Sequence, residues 1–157
     1  MSKIKVYCKN KKIMRVFLQN ENSDLTNEEI KKEGLTKCDD MAILLEGYLE
    51  GKNIDLSQYI DLNSLNITDF EKKVYLETIN IPKGQVRTYK EIGDSIGTKG
   101  YRAVGNALNK NPIAIVVPCH RVVGSNMKLT GFRGGLDMKK SMLEKEGIKI
   151  KNDKLIK

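Results

Sequence analysis

The chain has 157 residues, 39% of them hydrophobic and 31% charged, with a formal net charge of +8. That length fits one domain, or one domain with a small companion, and the composition can bury a core. No apolar run reaches the roughly 18 residues of a membrane-spanning helix. The opening Met1-Ser2-Lys3-Ile4-Lys5-Val6 does not read as a secretory leader. Cys8, Cys38 and Cys119 cannot all pair, no Cys-x-x-Cys occurs, and there is a single histidine. These counts argue against a disulfide scaffold and a Cys/His metal site, and point to a reducing, cytoplasmic setting.

Taken in order, Ile4–Cys8 and Ile13–Leu18 alternate like strands, with Lys9-Asn10-Lys11-Lys12 as the turn of a hairpin. Asn20–Asp24 is polar and turn-like. Thr26 with Glu29 reads as a capping box opening a helix toward Gly34. Asp39 or Asp40 can cap a second helix, whose Met41, Leu44, Leu45, Tyr48 and Leu49 keep helical spacing before Gly51. Asp55–Asn66 reads as a strand or extended connection. Thr68 and Glu71 form another capping box, and the helix they open ends at Pro82-Lys83-Gly84. A short extended piece, Gln85–Thr88, leads into two short helices, Tyr89–Ile96 and Tyr101–Asn109. The turn between them contains Gly97 and Gly100, which makes a helix-turn-helix pattern. Ile113–Val117 is a buried apolar run expected to be extended. Gly124–Gly135 is a glycine-rich loop, and Leu136, Met138, Met142 and Leu143 mark a last amphipathic helix stopped by Gly147. The basic tail, Ile148–Lys157, is expected to be mobile.

Charge divides the chain. Residues 1–67 carry 10 basic and 11 acidic side chains, whereas residues 68–157 carry 18 and 9. Between Lys83 and Arg133 there are nine basic residues against Glu91 and Asp94 alone. An excess of this kind suits a polyanion. In the second helix of the pair, Arg102 stands among the small residues Ala103, Gly105 and Ala107, which permit close approach to a groove.

Cys119 ends the apolar run and precedes the only histidine, His120. A thiol attacks as its thiolate, and an imidazole can take its proton. On a strand the two would face opposite ways, so a bridging water or a bend is needed. The imidazole in turn needs a carboxylate to orient it, from among Glu91, Asp94, Asp137, Glu144 and Glu146. A nucleophilic thiol closely following a DNA-docking helix pair implies chemistry on nucleic acid.

The segments Arg102-Ala103-Val104-Gly105-Asn106-Ala107-Leu108, Asn111-Pro112, Ile115–Gly124 with its Pro118-Cys119-His120-Arg121-Val122 core, Gly131–Leu136 and Leu143-Glu144-Lys145-Glu146-Gly147 carry a resemblance. Over about residues 68–147 the chain resembles the O6-alkylguanine-DNA alkyltransferases. The resemblance implies a small α/β domain of ribonuclease-H-like layout over 1–67. A mostly α, winged helix-turn-helix-like domain over 68–157 would follow it. The implied activity is single-turnover repair: O6-alkylguanine, chiefly O6-methylguanine, is flipped out of duplex DNA and its alkyl group moves irreversibly to Cys119.

The remaining roles follow from the same resemblance. His120 would be the base acting through water, Glu146 its orienter, Asn111 the hinge of the active-site segment, and Tyr89 a donor toward guanine N3. Arg102 would fill the gap left by the flipped nucleotide, with Ala103, Gly105, Leu108 and Arg121 also at the DNA face. Tyr89, Val122, Phe132 and Arg133 would line the base pocket, Val122 through its carbonyl and Arg133 through its N–H. No cofactor and no metal are implied. The partner is double-stranded DNA containing O6-alkylguanine, with no membrane and no obligate protein partner, and the protein is expected to be a monomer. Phe132 stands where many relatives carry tyrosine, and Arg133 where a small residue is common, so its side chain is expected to narrow the pocket or reach a phosphate.

Overall fold

The computed structural model describes residues 4–18, 21 and 24–156. The chain divides into two compact units. Unit one runs to Asn66 and includes Pro112–Val116; unit two holds Ile67–Asn111 and Val117 onward.

In unit one, β1 (Lys5–Lys9) and β2 (Lys12–Phe17) form the expected hairpin. Asn10 and Lys11 both take left-handed backbone, φ 51 and 65, which is what a two-residue turn needs to follow the strands' right-handed twist. β3 (Thr36–Lys37) pairs with the other side of β1, giving the order β2-β1-β3. The turn expected over Asn20–Asp24 falls largely outside the described residues. α1 (Asn27–Glu33) has the complete Thr26–Glu29 capping box and ends on Gly34 at φ 67. α2 (Asp39–Leu49) starts one or two residues earlier than a cap at Asp39 or Asp40 would place it: Cys38 is the N-cap, and Asp39 and Asp40 lie in the first turn, where they favour the helix dipole.

The stretch after α2, expected to be extended, instead makes two 3-10 turns, Ser57–Tyr59 and Leu62–Ser64. The Asp55 and Asp61 carboxylates accept the N–H groups of Ser57 (2.9 Å) and Asn63 (3.1 Å), and these local bonds win over strand formation. Val6, Ile13, Val16, Leu18 and Leu45 form the buried centre of unit one. Pro112–Val116 joins it through Val16 N–H donating to Pro112 O at 2.8 Å. This segment is buried as expected but not extended, since Ile115 turns at φ 77.

Unit two opens with α3 (Asp69–Ile79), capped by the expected Thr68–Glu71 box. β4 (Arg87–Thr88) pairs in parallel with β5 (Val122–Val123), so the start of α4 (Tyr89–Ser95) lies beside the residues that follow Cys119. α4 and α5 (Tyr101–Asn109) pack closely. A Cβ at Gly93 would sit 2.7 Å from the Tyr101 ring, so only glycine fits. α6 is Leu136–Lys145.

The tail, expected to be mobile, forms regular structure over residues 149–156. β6 (Lys149–Lys151) and β7 (Lys154–Ile156) make a hairpin around Asn152 and Asp153, at φ 54 and 59. Ile150 and Leu155 pack on Val123, Leu129 and Leu143, and that apolar contact anchors it. No helix among the described residues is long and apolar enough to cross a membrane.

Candidate active site

Cys119, His120 and Arg121 occupy a single 3-10 turn after Pro118, not a strand. Cys119 and His120 are therefore not held to the opposite faces of a strand. All three are buried, His120 and Arg121 at 0% and 4% exposure.

Glu146, at the end of α6, closes the cluster. Its Oε2 lies 3.0 Å from His120 Nε2. Arg121 grips the same carboxylate with two prongs, Nε to Oε1 at 2.9 Å and Nη2 to Oε2 at 2.8 Å. The fork fixes the carboxylate plane, as expected for charge-assisted bidentate pairing. A carboxylate can only accept, so Nε2 carries the imidazole proton and Nδ1 is left with its lone pair. Nδ1 is buried with no hydrogen-bond partner among the described residues. The other candidate carboxylates are placed elsewhere. Glu91 closes the cap of α4, Asp94 accepts from Tyr101 and Lys90, and Asp137 and Glu144 are exposed.

Burial alone would raise the Glu146 carboxyl, but hydrogen bonds from His120 and Arg121 outweigh it and hold the group at about 2. Burial pushes His120 below the usual imidazole range, against the pull of Glu146, so it rests neutral. Burial raises the Cys119 thiol, opposed by a hydrogen bond with Asn111 and by the charges of Lys139 and Arg133. Asn111 also donates from Nδ2 to Val117 O at 3.0 Å, tying the end of α5 to the chain entering the turn.

Lys139 is a residue that sequence reasoning missed. It is wholly buried, and its Nζ donates to Val122 O (2.7 Å) and Thr130 O (2.8 Å). Burial brings its ammonium down to about 8, against the attraction of Cys119. The signal was its phase on α6, three and four residues before Met142 and Leu143 on the apolar stripe. Thr130 was missed as well; its hydroxyl donates to the Tyr89 oxygen at 3.1 Å. Burial raises the Tyr89 phenol above its ordinary range, so it keeps its proton.

The surface residues separate into two groups. Tyr89, Lys90, Tyr101, Arg102, Gly105, Asn106, Ser125 and Thr130 line an open cleft of about 680 Å3. Arg102 is exposed at the cleft, as is its neighbour Ala103. Leu108 and Arg121 do not belong to that face. Leu108 packs in the core at 6% exposure, and Arg121 is committed to Glu146 and, through Nη1, to Ile81 O at 3.0 Å. The Arg133 side chain was expected to narrow the pocket or reach a phosphate. It turns back instead, Nη1 donating to Asn111 O at 2.7 Å. Val122 is buried with its carbonyl engaged by Lys139, and Phe132 is half-buried at the loop before α6.

The family described as 6-O-methylguanine DNA methyltransferase, DNA binding domain, matches residues 69–148, the stretch that supplies every side chain of this cluster. The chain belongs to this family. A methylated-DNA–protein-cysteine methyltransferase of Methanosarcina barkeri is 51% identical over 104 residues, 65% of this chain and 63% of that protein's own length. Among solved structures, Mycobacterium tuberculosis OGT in complex with DNA has a TM-score of 0.73 at 30% identity, covering 92% of this chain and 86% of that one. The O6-methylguanine-DNA methyltransferase of Pyrococcus kodakaraensis has a TM-score of 0.70 at 30% identity, covering 92% and 91%. Family membership thus extends from the unit-two motifs to a likeness of fold over most of the chain.

Proposed function

We propose that this chain repairs O6-alkylguanine, chiefly O6-methylguanine, in duplex DNA by moving the alkyl group to Cys119 Sγ. The observation that carries the reading is the buried His120–Glu146–Arg121 cluster in the same turn as the buried Cys119, with the imidazole's Nδ1 left unpartnered among the described residues. The thiol proton passes to Nδ1 through a bridging water, and the imidazolium is stabilised by Glu146. The thiolate then attacks the alkyl carbon in line. The C–S bond forms as the C–O6 bond breaks, and the electron pair goes to the guanine ring. Thr130 donates to the Tyr89 oxygen, which leaves the phenol proton available for guanine N3. A thioether is not returned by ordinary reductants, so each molecule acts once.

On this reading α4 and α5 serve as the two helices of a winged helix-turn-helix. The exposed Arg102 fills the stack from which the nucleotide has been extruded, and the small Ala103 and Gly105 let the helix approach the groove. Asn111 holds the active-site turn, Val122 and Arg133 present backbone groups to the base, and Phe132 forms its apolar edge. Unit one is the ribonuclease-H-like companion. The protein works as a monomer in a reducing cytoplasm, where its acceptor remains a thiol. Titration with duplex carrying O6-methylguanine tests this: repaired guanine should plateau at one equivalent per chain. Multiple turnover, or no loss of the lesion, contradicts it.

A further inference from the structure

The C-terminal hairpin has two unlike faces. Ile150 and Leu155 point into unit two, so their neighbours Lys149, Lys151, Lys154 and Ile156 point outward. β7 also pairs on its other side with the segment around Lys128. Leu129 N–H donates to Asp153 O at 2.7 Å, and Leu155 N–H to Met127 O at 3.0 Å. This makes Lys128 and Lys154 the non-hydrogen-bonded pair of an antiparallel bridge, the position where side chains come closest. Lys151 stands directly opposite Lys154 on its far side. Three lysines thus sit side by side across three strands, Lys149 lies two residues further along β6 on the same face, and all four are exposed.

Like charges placed directly opposite are unfavourable in a sheet. No ion pair joins these four lysines to a carboxylate among the described residues. Asp153, in the turn, is the one acidic residue of the hairpin. The row also has a definite address. Lys128 accepts the N–H of Gly124 at 2.9 Å through its carbonyl, closing the loop that contributes Ser125 to the cleft beside Arg102, and Thr130 of the same cleft is two residues further on.

We propose that this lysine row is a second nucleic-acid contact, holding the phosphodiester backbone of the duplex that flanks the site docked on α5. The proposal rests on the reading of α5 as the docking helix. A row of lysines spaced by strand separation suits a line of phosphates and carries no base preference, so it adds affinity and salt dependence without sequence specificity. It also explains an outward face built of like charges on a hairpin that is otherwise well anchored.

The test compares the full chain with a Lys149→Gln, Lys151→Gln, Lys154→Gln variant, using fluorescence anisotropy on undamaged duplexes between about 50 and 200 mM salt. On a duplex of about 24 base pairs the slope of log affinity against log salt should fall in magnitude by about two to three, with roughly tenfold or greater loss of affinity at the low-salt end. The difference between variant and wild type should shrink as the duplex is shortened. Thermal melting and the rate with free O6-benzylguanine report the integrity of the fold. Parallel salt plots on the long duplex overturn the proposal. So does preferential binding of wild type to phosphatidylserine vesicles over the duplex. A wild-type chain that shows the long-duplex effect yet never accepts a methyl group overturns the transfer reading and leaves this contact standing.

Discussion

Unit one and unit two bury different chemistry. Unit one encloses aliphatic and aromatic side chains and the Cys8 thiol; the buried polar and charged side chains Thr78, Thr88, Asn111, His120, Arg121 and Lys139 all belong to unit two. Formal charge follows the same division, near balance over residues 1–67 and a twofold basic excess over 68–157. A buried ion pair is seldom the most stable way to fill a core, because desolvation opposes the attraction. Unit two nevertheless keeps a fork of arginine on glutamate and a sealed lysine beside the only histidine. Under the proposed function that arrangement serves alkyl transfer, whereas unit one is organised by apolar packing and helix caps.

Substitutions should separate the two kinds of order. Cys119→Ala should have the largest effect, abolishing methyl transfer in a single-turnover assay while duplex affinity and melting temperature stay near wild type. Glu146→Ala should come next. It leaves Arg121 and His120 without their acceptor in the interior, so denaturant titration should show a loss of about 3–5 kcal/mol. Transfer should slow by about a hundredfold or more, since the base loses its fixed tautomer. A loss below about 1 kcal/mol would remove the contrast between the units.

Acid should act on the same cluster. The Glu146 carboxyl is held at about 2, below its ordinary 4.5, so its contribution to stability is complete above 4.5 and is lost as pH falls toward 2. His120 is also depressed from 6.5, so its contribution is present above 6.5 and fades below that. Both groups make acid destabilising. Chemical denaturation should therefore show stability falling from about pH 6.5 downward, and in Glu146→Ala the fall below pH 4.5 should be blunted.

Arg102→Ala should slow transfer from duplex DNA by about tenfold or more and leave the rate with free O6-benzylguanine unchanged. Stability should shift by less than about 0.5 kcal/mol, because the side chain is exposed. Equal slowing on both substrates would remove its role in the flipped-out complex. The smallest effect is expected in unit one. Thr26→Ala opens the capping box of α1 and should cost about 1 kcal/mol in denaturant titration, with no change in transfer rate.

Much of this order is legible in the residues themselves. The capping boxes at Thr26 and Thr68 are closed locally, by a hydroxyl and a carboxylate three residues apart, so their helices begin where the pattern places them; the Thr88–Glu91 box of α4 is of the same local kind but emerges only from the structure. The hairpin over Lys9–Lys12 is likewise a local matter. The course of Ile113–Val117 is not legible, because apolar content reports burial and not φ, and the left-handed Ile115 leaves no trace in composition. The hairpin of the tail is hard to see in sequence because its lysines are conspicuous and its anchors, Ile150 and Leu155, are only two residues.

In the site, Cys119, His120 and Glu146 were found from motif context. Arg121 and Lys139 were placed outside or overlooked, because a charged residue reads as solvent-facing unless its partners are known. Those partners are distant in sequence: Ile81 O and Glu146 for Arg121, Val122 O and Thr130 O for Lys139.

Peptide mass mapping after incubation with a duplex containing O6-methylguanine tests most directly that the buried relay of unit two performs alkyl transfer. One methyl group should appear on the peptide containing Cys119, with unmodified guanine recovered in the DNA and none on the peptides containing Cys8 or Cys38. A methyl group on either of those two thiols, or an unmodified Cys119 with the lesion intact, would contradict it.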